Sequence, residues 1–145
     1  MKAKLVNEEG TRTFALVFDT GDELVSNLLD FARREKLASA HFAGIGAFER
    51  LTFGFFELEK KEYKKIAVNE QVEVLSLAGN IALYENELRV HAHVLVGKQD
   101  GTAHGGHLFE AHVRPTLELF LTELAVPLHR RMNEEVGIPL IDLSA

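Results

Sequence analysis

The chain has 145 residues, 46% of them hydrophobic and 26% charged, which suits one domain of ordinary globular composition, residues 1–145, and argues against disorder. It contains no cysteine, so disulfides, thiolate nucleophiles, cysteine-type zinc sites and iron–sulfur clusters are excluded. With 16 basic against 22 acidic residues its formal charge is −6, a balance that disfavours non-specific binding to a phosphate backbone.

Met1-Lys2-Ala3-Lys4-Leu5-Val6 lacks the long apolar stretch of a secretory signal, and no apolar run approaches the roughly 18–20 residues needed to cross a bilayer as a helix. A cytoplasmic protein without a membrane partner is expected. Thr13-Phe14-Ala15-Leu16-Val17-Phe18 is short, apolar and closed by Asp19-Thr20-Gly21, the signature of a buried strand. A long helix is expected over about residues 22–36. Asp22 is its candidate N-cap, Leu24, Val25, Leu28, Leu29, Phe31 and Ala32 recur at helical spacing, and Arg33, Arg34 and Lys36 complement the dipole.

From Ser39 onward the pattern is that of strands. Residues 40–48, 51–58, 72–83 and 88–97 each read as one, with a charged hairpin at Lys60–Lys65 and turns at Glu85-Asn86-Glu87 and Lys98-Gln99-Asp100-Gly101. Residues 105–109 follow, and residues 116–124 are ambiguous between strand and helix. Pro115, Pro127 and Pro139 look like element boundaries. The expected class is α+β: a mainly antiparallel β-sheet with one early helix.

Val90-His91-Ala92-His93-Val94-Leu95-Val96 carries the chemistry. Alternation along a strand sends Val90, Ala92, Val94 and Val96 to the core and puts His91 and His93 on one face, where two imidazoles can converge on an ion. A third ligand is available in Ala103-His104-Gly105-Gly106-His107. If residues 88–97 pair with 107–112 as a hairpin around Asp100-Gly101, His107 reaches the same face, the glycines easing the bend. His104 belongs to the expected loop and His112 to the opposite face. Imidazole ligands without thiolate suit zinc, nickel, iron or manganese.

Other constellations carry less. Gly44-Ile45-Gly46-Ala47 is half a dinucleotide fingerprint with no following helix, and reads better as a bulged strand. Ser76 lacks a nucleophile-elbow context. Glu73, Glu85, Glu87 and Glu110 are acids that proton transfer near the histidines would need, and their spacing singles out none.

Gly44-Ile45-Gly46-Ala47, Glu73-Val74-Leu75-Ser76-Leu77-Ala78-Gly79-Asn80-Ile81, His91-Ala92-His93 and Gly105-Gly106-His107-Leu108, in that order, resemble the plants-and-prokaryotes-conserved (PPC) domain, over nearly the whole chain. The resemblance implies a homotrimer and, in stand-alone prokaryotic members, a histidine-lined pocket holding a divalent metal such as zinc. By motif the ligands are His91, His93 and His107. Plant members carry the domain beside AT-hooks that grip DNA, and the Arg-Gly-Arg-Pro core of a hook occurs nowhere here. Direct DNA contact is therefore doubtful, which leaves a DNA-associated regulator acting through protein contacts as one alternative. A metal-dependent enzyme on a small molecule and a purely structural metal site are the others. Trimerisation has a correlate in the ten phenylalanines, several of them clustered at Phe53, Phe55 and Phe56.

Overall fold

A computed structural model describes residues 1–144. Nine strands and one helix follow in the order β1 (Lys2–Asn7), β2 (Thr13–Asp19), α1 (Leu24–Arg34), β3 (Ala40–Glu57), β4 (Glu62–Val68), β5 (Val72–Tyr84), β6 (Glu87–Gly97), β7 (Ala103–Glu123), β8 (His129–Asn133) and β9 (Ile138–Asp142). All pairings are antiparallel except one bridge between β5 and β8, at Leu83 and His129. The mainly antiparallel expectation holds.

Four pairings close on themselves: β3 with β5, β5 with β6, β6 with β7, and β7 back to β3. This is possible because β7 is 21 residues long and changes partner along its length. Its first residues, Ala103 to His107, pair with β6; from His107 onward it pairs with β3. Inward-facing side chains fill the closed ladder, among them Phe48, Val72, Leu77, Val96 and Leu121, each at most 2% exposed. Gly44-Ile45-Gly46-Ala47 lies in β3 where its register with β5 shifts, as a bulged strand should, and no helix follows. A side chain at Gly46 would run into the carbonyl of Thr116.

The helix is shorter than its apolar spacing suggests, with 11 residues rather than the 15 or so of residues 22–36. Its buried face is Leu24, Leu28, Phe31 and Ala32, packed towards β6 and β7. Both ends have physical causes. Asp22 is drawn away, accepting from the Asp19 N–H and pairing at 2.5 Å with the N-terminal ammonium. The cap is Glu23, whose carboxylate accepts from the N–H groups of Val25 and Ser26 at 3.1 and 2.7 Å, and from Ala111 on β7 at 3.2 Å. At the other end Lys36 takes a left-handed φ of 57°, and the Leu37 N–H turns back to the Ala32 carbonyl. No helix is long and apolar enough to cross a membrane among the described residues.

Burial alone would raise the Glu23 carboxyl, but the donors on Ser26, Val25 and Ala111 outweigh it and hold the group below its ordinary value. Its contribution is therefore present above the unfolded-state pKa and lost as pH falls through the lower folded one. Glu23→Ala is expected to cost about 1 kcal/mol in urea unfolding at neutral pH. The gap to the wild type should narrow as pH falls below the ordinary carboxylate range and the wild-type carboxylate protonates.

Candidate metal centre

β6 lies between β5 and β7, and its alternation is clean: Ala92, Val94 and Val96 are buried, while His91, His93 and Leu95 take the outer face. His93 stands directly opposite His107 in the β6–β7 ladder, and His91 comes two residues further along. The hairpin pairs residues 93–97 with 103–107, not the expected 88–97 with 107–112, so His107 is its last paired residue rather than its first. The cause is the partner switch of β7. Past His107 its hydrogen bonds belong to β3, with His107 itself opposite Gly54.

Gly105 and Gly106 make that switch possible. A side chain at Gly105 would collide with the Val94 carbonyl on β6, and one at Gly106 with the Gly54 carbonyl on β3. His104, expected in a loop, is on β7 opposite Val96, exposed, and contacts the Thr102 hydroxyl at 3.1 Å. His112 pairs with Arg50 further along and stays outside the cluster.

The three rings converge. Their centroids are 5.3 Å apart for His91 and His93, 5.1 Å for His91 and His107, and 5.7 Å for His93 and His107. One nitrogen from each lies within 4.8 Å of the other two. Nitrogens around a tetrahedral zinc stand about 3.3–3.4 Å apart, inside that 4.8 Å limit.

The environment of His107 and His91 favours the neutral imidazole that coordinates metals. Burial, with the nearby His91, His93 and Arg130, pushes His107 down to about 4. Burial, with Arg130 and His93, lowers His91 as well. His107 stacks on Tyr63 at 4.6 Å and meets Phe109 edge-on at 5.0 Å, which fixes its ring. Its Nδ1 is buried without a hydrogen-bond partner. A buried imidazole nitrogen left unpaired is costly, and a metal ion is one group that satisfies it. The donor set therefore fits a divalent metal of the zinc type.

No carboxylate joins the cluster among the described residues. Glu73 is exposed on a groove with Glu70 and Lys98, and Glu110 is exposed and accepts from the Thr52 hydroxyl. Glu85 sits in the β5–β6 turn and Glu87 just beyond it.

One side of the cluster opens into a cavity of about 310 Å³, whose lining includes His91, His107, Tyr63 and Arg130. Arg130 belongs to β8, and the β8–β9 hairpin forms the outer wall with Ile138, Pro139 and Leu140. Sequence reading missed this hairpin. His129-Arg130-Arg131-Met132-Asn133 has no apolar alternation, and its one signal is the turn-forming Asn133 to Gly137 stretch after Pro127.

Residues 6–125 match the family model of the Plants and Prokaryotes Conserved (PCC) domain. Among solved structures, a metal-containing protein of Archaeoglobus fulgidus is 37% identical, with 97% of this chain and 99% of that one covered and a TM-score of 0.86. A plant- and prokaryote-conserved protein of Pyrococcus horikoshii is 33% identical over 97% and 94% of the two chains, with a TM-score of 0.85. A Ralstonia eutropha protein with a provisional DNA-binding name is 30% identical over 90% of each chain, with a TM-score of 0.84. No curated protein matches the sequence significantly.

Proposed function

The chain belongs to the Plants and Prokaryotes Conserved domain family, and from that premise we propose that it is a homotrimeric metal-binding protein whose divalent ion, zinc by preference, is held by His91, His93 and His107 beside a small-molecule pocket. The observation that carries the reading is the convergence of three imidazole nitrogens within 4.8 Å on a rigid β-ribbon. The orphaned His107 Nδ1 supports it, as does the metal-containing Archaeoglobus relative.

Three neutral imidazoles leave a coordination position free, and an ion there supplies Lewis-acid chemistry to whatever enters the cavity. The residues of the chain bind and orient: Tyr63 and Phe109 hold the His107 ring, and the β8–β9 hairpin shields one side from water. Without a carboxylate in the cluster, the site is better suited to holding and polarising a ligand than to moving its protons.

The trimer draws on an apolar outer face. Phe53, part of the sequence argument for an interface, is buried in the core, while Phe55 is exposed. Ile45 (61% exposed), Leu75 and Phe120 (60% exposed) line a shallow groove on β3, β5 and β7. Contiguous apolar surface of this kind suits a subunit interface. Ala78, the cross-strand partner of His93, lines both this groove and the surface beside His91 and His93, so the metal site borders this face.

DNA contact is not part of the reading, because the net charge is −6. Native mass spectrometry of protein purified with zinc present tests ion and assembly together: three chains carrying three ions are expected. A metal-free species would remove the metal reading, and a monomer carrying one ion would remove the trimer alone.

A further inference from the structure

The β8–β9 hairpin lies beyond the residues matched by the family model, yet it is fastened over the metal site at several points. The Leu83 N–H donates to the Leu128 carbonyl at 2.9 Å where β8 begins, and Lys61 Nζ reaches the Glu134 carbonyl at 2.7 Å at its turn. Between these ties Arg130 donates to the Asn80 side-chain oxygen at 2.6 Å and the Pro139 carbonyl at 3.3 Å. Asn80 is the cross-strand partner of His91, so Arg130 is locked to the strand pair that carries the histidines.

Arg130 is half-buried, and its two acceptors are neutral. Among the described residues no carboxylate lies within ion-pair distance of it, although the neighbouring Arg131 pairs with Asp142 at 3.0 Å. A cation withdrawn from water without a counter-charge is unfavourable, and guanidinium is built for bidentate recognition of an anion. Burial lowers Arg130, with no acid opposing the shift. Arg89 also lines the cavity, so a divalent ion on the histidines would give it a third positive centre and still no negative one. The wall formed by Tyr63, Ile138, Pro139 and Leu140 is largely apolar, and a volume of about 310 Å³ admits a small organic body.

We propose that this cavity binds a small organic carboxylate, gripped at its charged end by Arg130 and enclosed along its apolar body by Tyr63 and the β8–β9 hairpin. The inference rests on the metal reading for the additional positive centre, but on Arg130, half-buried and tied to Asn80 where Arg89 is exposed, for the anchoring itself. An inorganic anion would use the guanidinium and leave the apolar wall unused, which is why an organic ligand is favoured.

Calorimetric titration of the full chain, zinc-loaded and zinc-free, with benzoate, benzamide and inorganic phosphate tests this. Benzoate is expected to bind the zinc-loaded protein, with benzamide and phosphate each about tenfold weaker or more. Arg130→Gln should cost benzoate about tenfold in both zinc states and leave zinc stoichiometry unchanged. Arg130→Lys, which keeps the charge but loses the bidentate fork, should recover part of that loss and so exclude misfolding as its cause. Benzoate binding no better than benzamide, phosphate binding tighter than benzoate, or an Arg130→Gln variant with wild-type affinity would each overturn the proposal. A chain that retains no zinc yet binds benzoate through Arg130 supports the carboxylate site and sinks the metal reading. A fully zinc-loaded chain that ignores benzoate does the reverse.

Discussion

His107→Ala is expected to lower zinc affinity roughly a hundredfold or more while leaving the metal-free protein folded. Deleting a ligand should cost at least as much as deleting one of its outer-shell partners, whose loss typically takes 10–100-fold. His107 is the proposed ligand from β7, facing His93 across the ladder and approaching His91 at 5.1 Å. Its removal from the metal-free chain has opposing effects. The stack on Tyr63 is lost, and the buried, unpaired Nδ1 disappears with it. The net change in metal-free stability is expected within about 1 kcal/mol. Added zinc should stabilise the wild type by about 2.7 kcal/mol at a hundredfold excess over its dissociation constant. Thermal melts with zinc and with chelator separate the two effects: the wild type should show a zinc-dependent rise in Tm that the variant lacks. An equal rise in both would mean that zinc stabilises the fold from elsewhere.

Gly106→Ala is expected to damage fold and site together, although the residue supplies no ligand. Its backbone passes so close to β3 that an added Cβ would overlap the Gly54 carbonyl oxygen and lie 3.2 Å from the Phe53 ring. That carbonyl belongs to a paired strand and cannot swing aside, and Phe53 is a core residue 2% exposed. Forced overpacking of this kind costs typically 1–3 kcal/mol. Because His107, the proposed ligand, is the next residue, a displacement of β7 should be transmitted to it, and zinc affinity should fall with stability. Urea unfolding of the metal-free variant, followed by zinc titration under conditions where it stays folded, checks both parts. Full stability with weakened zinc binding would assign the glycine to the site alone, contrary to this packing argument.

Local signals in the sequence were strong where one face met one environment. Thr13–Phe18 forms its strand because its apolar residues alternate onto the core, and β6 displays His91 and His93 together because Ala92, Val94 and Val96 must point inward. The helix is present, but its ends were misplaced by long-range partners: the N-terminal ammonium engages Asp22, and the Ala111 N–H on β7 helps fix Glu23 as cap. No periodicity encodes those contacts.

The long strands failed for a related reason. Pro115 looked like a boundary but lies inside β7, where the ladder to β3 jumps from Leu117 to Val113. A residue without an N–H is tolerated in such a gap. Residues 40–48 and 51–58 are likewise one strand, β3, curved through register shifts rather than broken. Arg130 was invisible to motif reading because its importance comes from where the β8–β9 hairpin docks, 23 residues after His107 along the chain.

The central claim is that three imidazoles share one ion, and X-ray absorption spectroscopy at the zinc edge of the loaded protein reads it directly. Three imidazole nitrogens at about 2.0–2.1 Å are expected, together with one oxygen from water or a bound ligand. Substituting His91, His93 or His107 in turn should each remove one imidazole from that shell. A shell of oxygens alone, or one indifferent to all three substitutions, would contradict the account.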